Sequence, residues 1–281
     1  MIRLLEQLPN DELVFEEFWD DIPAYAILSH TWHTDNRQEV LYRDIEDSSG
    51  TDKAGYSKIL FCAEQARKDG LRYFWIDTCC IDKRSAVELS EAINSMYRWY
   101  SRASKCYVFL EDVSQASIDA SAQSQRGQQK QIESAFRASR WFTRGWTLQE
   151  LLAPSSLEFY DGHGQSLGSR ASFSTLIQEI TGIPAKVFAG TSKAGYGSEE
   201  PFSWAETRRT KIVEDEIYSL LGIFDVTMPL IYGEGKEAAK QRLMREIEYR
   251  RKGMLWNNHA LASTNGDRLG SGISFHDPTD Q

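Results

Sequence analysis

The sequence predicts an α/β fold, a parallel sheet flanked by helices with extra helices toward the C-terminus. Two observations carry this. Short apolar runs that end in polar residues alternate with stretches of helical periodicity, in the order β-α-β-α-β. The runs are continuously apolar rather than alternating, as strands buried on both faces are. At 281 residues, 41% hydrophobic and 12% aromatic, the chain can also bury a sizeable core.

Tyr25 to Trp32 (YAILSHTW) reads as the first strand. Ala54 to Arg67 reads as a helix with Tyr56, Ile59, Leu60 and Ala63 on one face, stopped by Gly70. Leu71 to Ile76 is the second strand. Ser85 to Glu88 has a capping-box pattern and opens a helix that buries Leu89, Ile93, Met96, Tyr97 and Tyr100. Lys105 to Leu110 (KCYVFL) is the third strand. The Ser/Gln-rich Ser114 to Gln131 reads as an exposed loop or weak helix, a plausible gating element. SRWFTRGWTLQELLAP reads as a short helix closed by Pro154, and Ser156 to Tyr160 as a fourth strand. Helices follow at Phe173 to Ile180, near Glu214 to Phe224 and near Glu237 to Lys252, with a second capping-box pattern at Ser203 to Glu206. Residues 256–281 read as a polar tail or linker.

The formal net charge is −9, from 32 basic and 41 acidic residues, and no long Lys/Arg run occurs. This argues against nucleic acid as a partner. Cys62, Cys79, Cys80 and Cys106 form no C-x-x-C pair, and the five histidines are scattered, so no metal site and no disulfide are expected. Reduced thiols, with no signal-peptide pattern and no membrane-length apolar run, point to a cytoplasmic protein.

In parallel α/β sheets, ligands bind beyond the carboxyl ends of the strands. The first strand ends in Ser29, His30, Thr31 and Trp32. The second ends in YFWIDTCCIDK, which carries Asp77, Cys79, Cys80 and Asp82; the third ends in Glu111 and Asp112. Hydroxyl, imidazole, indole and carboxylate groups thus converge on one edge, as a ligand crevice would require. The competing reading is local: Asp82 or Ser85 caps the next helix and Asp77 bonds loop amides. Farther on, Trp146, Glu150 and Ala153 share a helical face. A tryptophan beside a carboxylate can stack on a base or pyridinium ring while the acid meets positive charge. The alternative is a core tryptophan with Glu150 paired to Arg144. Cys80 could serve as a nucleophile, but no histidine is paired with it in sequence.

YAILSHTW, GLRYFWIDTCCID, ELSEAINSMYRWYSRASKCYVFLEDV, SRWFTRGWTLQELLAP and KIVEDEIYSLLGIFDVTMPLIYGEG together resemble the fungal heterokaryon-incompatibility (HET) domain. The resemblance implies one domain over residues 1–255, with a core at about 24–165 and a helical part at about 166–255. It also implies a role in cell death on non-self recognition, often beside NACHT-type receptor domains. More distantly, the run from the second strand onward is similar to TIR domains, which implies a TIR/flavodoxin-like sheet. The matching pieces are Trp75-Ile76-Asp77, Ala92-Ile93-Asn94-Ser95, Cys106 to Leu110 and Gly145 to Leu151. In enzymatic TIR domains the glutamate of the last motif is catalytic for NAD+ cleavage, so the resemblance assigns that role to Glu150. Ser29, His30, Trp32, Asp77, Cys80, Asp82 and Trp146 are then candidates for substrate binding. Two positions depart from the TIR pattern: Arg144-Gly145 replaces the serine before the tryptophan, and Thr147 replaces the cysteine after it. NAD+ or a related nucleotide would be a substrate rather than a cofactor, consistent with the lack of a G-x-G-x-x-G fingerprint. The resemblance also implies activation by self-association. Three readings stand at this point: an NAD+-cleaving enzyme, a non-catalytic signalling module, and a nucleotide sensor without turnover.

Overall fold

A computed structural model describes residues 1–114, 125–188 and 199–266, with backbone alone at 125–126 and 253–266. Seven strands form a single sheet: β1 (Ile2–Gln7), β2 (Leu13–Phe18), β3 (Tyr25–His30), β4 (Tyr73–Trp75), β5 (Lys105–Leu110), β6 (Leu157–Asp161) and β7 (Ser166–Ser169). Their order is β2-β1-β4-β3-β5-β6-β7. The helices are α1 (Tyr42–Glu46), α2 (Tyr56–Lys68), α3 (Ala86–Arg102), α4 (Gln125–Ala138), α5 (Thr147–Leu152), α6 (Ser174–Thr181), α7 (Ala185–Phe188), α8 (Glu200–Ala205), α9 (Asp215–Tyr218) and α10 (Lys236–Gly266).

The α/β class is as expected, but the sheet is mixed rather than parallel throughout. β4, β3, β5 and β6 are parallel neighbours. In chain order these run second-first-third-fourth, the order of flavodoxin-like sheets. Both edges are antiparallel: β1 and β2 form a hairpin added at β4, and β7 folds back on β6. The N-terminal hairpin is not assigned by the strand reading above. Its signal is two β-type runs around LPNDE, where Asp11 takes a positive φ of 64°. Acidic residues on the half-exposed β2 dilute the pattern. Arg3 is buried and holds the hairpin to the start of α3, reaching Glu17 at 2.8 Å, Glu88 at 2.5 Å and the Cys80 carbonyl at 3.2 Å.

Ser85 caps α3, its hydroxyl accepting the Glu88 N–H at 3.2 Å. The box is not closed, because the Glu88 carboxylate accepts from the Asp82 N–H and from Arg3 instead. In α2 the buried face is Ile59, Cys62, Ala63 and Ala66, while Leu60 points to solvent. Ser203 lies inside α8 and bonds back to the Glu200 carbonyl, so it is no cap. The stretch after Ser139 breaks at Arg144-Gly145 into a 3₁₀ turn, Arg140–Thr143, and α5. Of the Ser114 to Gln131 segment, residues 125–131 belong to α4, and 115–124 lie outside the described residues. α10 carries the chain to Gly266, into the stretch read as a tail; residues 267–281 lie outside the description.

All four cysteines are buried free thiols. Burial pushes the thiols of Cys62, Cys79 and Cys106 well above the usual range. The native protein should therefore react slowly with a thiol reagent at pH 8, and four thiols should titrate once it is unfolded. Rapid native labelling of any thiol but Cys80 would contradict this packing.

Candidate functional site

A cleft of about 210 Å³ opens at the carboxyl ends of β3 and β4, between α3 and α5. Its polar groups include His30, Trp32, Asp77 and Glu150, which come from three separate elements. Ser29 lies just beneath. It is fully buried, donates to Glu150 Oε2 at 2.5 Å and accepts the Trp141 indole N–H at 2.8 Å. Glu150 is thus fastened to the core rather than paired with Arg144 on the surface. Trp146 lines the cleft and donates to Asp215 at 3.3 Å.

Two expected members are elsewhere. Asp82 turns outward to Arg84, at 2.8 and 2.9 Å, and accepts the Arg84 backbone N–H. This is the local capping role that an aspartate at a tight loop adopts. Cys80 lies in the core beside β1, and its sulfur faces the Ile76 N–H at 3.3 Å, away from the cleft. Glu111 and Asp112 sit on the same sheet edge, but they do not line the cleft: Asp112 accepts from Ser139 and from the Arg140 N–H, fixing the 3₁₀ turn. The loop after β3 is held from below by a buried ion pair, Lys58 to Glu39 at 3.0 Å, with Lys58 also donating to the Thr31 carbonyl at 3.0 Å.

Asp77 is the electrostatic centre. It meets His30 Nε2 at 3.1 Å, the Trp32 indole N–H at 2.9 Å and Lys83 Nζ at 3.7 Å. Burial alone would raise its pKa, but Lys83, His30 and Trp32 outweigh burial and hold it well below the usual carboxylate range. Glu150 behaves oppositely: burial, then the nearby Asp77 charge, push its carboxyl up to about 8, against the pull of Ser29 and Arg144. Two neighbouring carboxyls with pKa values driven apart are the usual sign of divided acid and base roles.

Lys83, at the end of YFWIDTCCIDK, is missing from the sequence reading. Its Nζ lies 3.7 Å from the centroid of the Trp32 ring, and Lys211 approaches the same ring at 5.9 Å. A substrate ring stacked on that face of Trp32 must displace Lys83.

The remaining wall comes from a distant segment, which sequence alone could suggest only as helices near the crevice. Arg209 pairs with the chain before α5: Gly145 N–H to the Arg209 carbonyl at 2.9 Å, and Arg209 N–H to the Thr143 carbonyl at 2.7 Å. This strap carries Thr210, Lys211 and Ile212 along the rim, and Asp215 and Tyr232 complete it. Gly145 is needed here, since a Cβ would stand 2.4 Å from Thr210 Cγ2. Gly145→Ala should cost about 1–3 kcal/mol, and Thr210→Ser, which removes that methyl, should restore most of the loss in thermal melting. Equal losses in the single and double variants would mean the strap is not seated there.

The profile of the family described as "Heterokaryon incompatibility protein (HET)" matches residues 25–150. The chain is also similar to "Vegetative incompatibility protein HET-E-1" of Podospora anserina, at 50% identity over 226 residues. That alignment takes in 80% of this chain and 16% of the longer protein, so this chain spans about a sixth of the length of the relative. No solved structure matches. Among the described residues, no helix is long and apolar enough to cross a membrane, and no group of His, Cys, Asp or Glu is arranged to hold a metal.

Proposed function

Because residues 25–150 are a heterokaryon incompatibility domain, we propose that the chain is an effector module of fungal non-self recognition and causes cell death by cleaving the nicotinamide–ribose bond of NAD+. The observation that carries this reading is the cleft holding Glu150 and an ionised Asp77 at the carboxyl edge of the sheet. In the reaction the C1′–N bond breaks, its electron pair goes to the pyridinium nitrogen, and nicotinamide leaves neutral. The ribose becomes an oxocarbenium ion, water adds at C1′, and a proton is released. No leaving-group acid is needed. Fixed negative charge near the sugar is needed, and it is worth most where water is excluded. Glu150 supplies it once ionised, and the incoming pyridinium cation favours that ionisation. Asp77 adds a standing charge. The cleft is smaller than the range typical of complete small-molecule sites, so it would seat the nicotinamide riboside end, with the remainder of the dinucleotide at the rim.

Self-association is part of the reading: turnover per molecule should rise with protein concentration. NACHT-type receptor domains, in the same chain or another, would supply the clustering. The test is purified protein with NAD+, nicotinamide release being followed by chromatography from dilute to crowded conditions. A full, concentration-independent rate in dilute solution would contradict the association step. The second reading, a non-catalytic module that recruits partners, draws on the exposed apolar residues Ile212, Val213, Ile231 and Tyr232 at and near the cleft mouth.

A further inference from the structure

The chain carries a net charge of −9, yet four cations line this one cleft: Lys83, Arg144, Arg209 and Lys211. Three acids line it too, and all three are engaged. Asp77 is held by His30, Trp32 and Lys83. Glu150 accepts from Ser29. Asp215 accepts from Trp146 and from Tyr232 at 3.1 Å. The cations are not matched in the same way. Among the described residues, no carboxylate forms an ion pair with Arg144, Arg209 or Lys211; Lys211 donates to the Asn36 amide oxygen, and Arg209 to the carbonyls of Glu206 and Arg208. Lys83 Nζ is buried and makes no hydrogen bond among the described residues. Behind the wall, buried Arg208 donates to the Arg144 carbonyl at 2.9 Å and to Thr147 at 2.8 Å, and its Nη2 has no partner. Burial also keeps the Glu150 carboxyl largely protonated at neutral pH, so the cleft is electropositive within an acidic protein.

We propose that Arg144, Arg209 and Lys211 form a phosphate-binding rim that holds the pyrophosphate of a nucleotide whose sugar end enters the cleft. This deepens the function proposed above and rests on it for the identity of the sugar end, but not for the anion site. Two guanidinium groups and an ammonium around one mouth suit a diphosphate, since Arg offers paired donors to phosphate oxygens and Lys a point charge. The strap is what delivers them. The backbone pairing of Arg209 with Thr143 and Gly145 sets Arg144 and Arg209 side by side, and Lys211 follows two residues later on the rim. An electropositive cleft with low-dielectric walls also draws anions in.

The test is isothermal titration of the full chain with ADP-ribose, inorganic pyrophosphate and phosphate-free nicotinamide riboside. The variants are Arg144→Gln, Lys211→Gln and their combination. These leave the backbone strap in place and spare Arg209, whose side chain braces it. The wild type should bind ADP-ribose and pyrophosphate competitively, with affinity that falls steeply as salt rises. The double variant should lose at least tenfold for both, with nicotinamide riboside affinity within twofold; each single variant should lose about threefold, which keeps the test decisive if the double variant folds poorly. Binding that is undetectable in the wild type at millimolar pyrophosphate, or unchanged by the substitutions, overturns the proposal. If ADP-ribose binds through these side chains while NAD+ is never cleaved, the rim stands and the proposed reaction falls.

Discussion

Glu150→Gln is expected to lose roughly two to three orders of magnitude of nicotinamide release, the usual cost of removing one preorganised electrostatic group. The same variant is expected to be more stable than the wild type above pH 8. The sign follows from the raised pKa. Glu150 titrates near 8 when folded and near the ordinary glutamate value, about 4.3, when unfolded. Between those values the folded protein keeps a proton that the unfolded chain has released, so the contribution of Glu150 to stability is full at low pH and is lost as pH rises through 8. Above 8 the wild type carries the whole cost of an ionised, buried carboxylate, on the order of a few kcal/mol. Glutamine preserves size and can still accept from Ser29, and it carries no such cost. Melting temperature against pH should therefore fall more steeply for the wild type. For the wild type, kcat/KM should climb with pH, reaching half its maximum near 8 and levelling off about one unit above, because the ionised form does the work. Parallel melting curves for the two proteins would place Glu150 outside the buried environment described here.

Asp77→Asn should lower stability by about 3 kcal/mol, because it leaves the Lys83 ammonium without its counter-charge. It should also reduce turnover, since the standing negative charge of the cleft disappears. Asparagine keeps one acceptor, for the Trp32 indole N–H, and presents an N–H donor to His30, so both contacts survive only with the His30 proton on Nδ1, toward the Thr31 carbonyl, and Nε2 accepting. A second change, Lys83→Met, removes the stranded charge and should recover most of the stability but none of the activity. The stability difference between wild type and Asp77→Asn should hold above about pH 3.9, the ordinary aspartate value, and shrink as pH falls toward the lowered pKa of Asp77. Urea unfolding midpoints measure both effects. A double variant as unstable as Asp77→Asn would mean that Lys83 and Asp77 are not coupled.

The central strands and crossover helices were legible because continuous apolar runs alternate with helical periodicity, although the face of α2 was read with Leu60 inward where it points to solvent. The carboxyl-edge rule brought His30, Trp32 and Asp77 to one place, and the helical face and resemblance that singled out Trp146 and Glu150 led to the same cleft. The rule failed for Asp82 and Cys80, which lie one loop turn beyond Asp77. A loop leaving a strand reverses direction within a few residues, and whether a side chain faces cleft, core or solvent depends on that turn, which no period encodes. The antiparallel edges were illegible for another reason: β2 is half exposed and acidic, and β7, SLGS, carries almost no apolar signal. Lys83 and the Arg209–Ile212 strap could not be found by motif, because their role comes from tertiary pairing with Asp77, Trp32 and Gly145.

The most direct measurement is the fate of NAD+ incubated with the concentrated wild-type chain, resolved by chromatography and mass. The account predicts nicotinamide and ADP-ribose in equal amounts, absent with Glu150→Gln, and loss of cellular NAD+ preceding death on expression. Intact NAD+ in the tube and in cells that the wild-type protein still kills would contradict it and leave the recruitment module as the working mechanism.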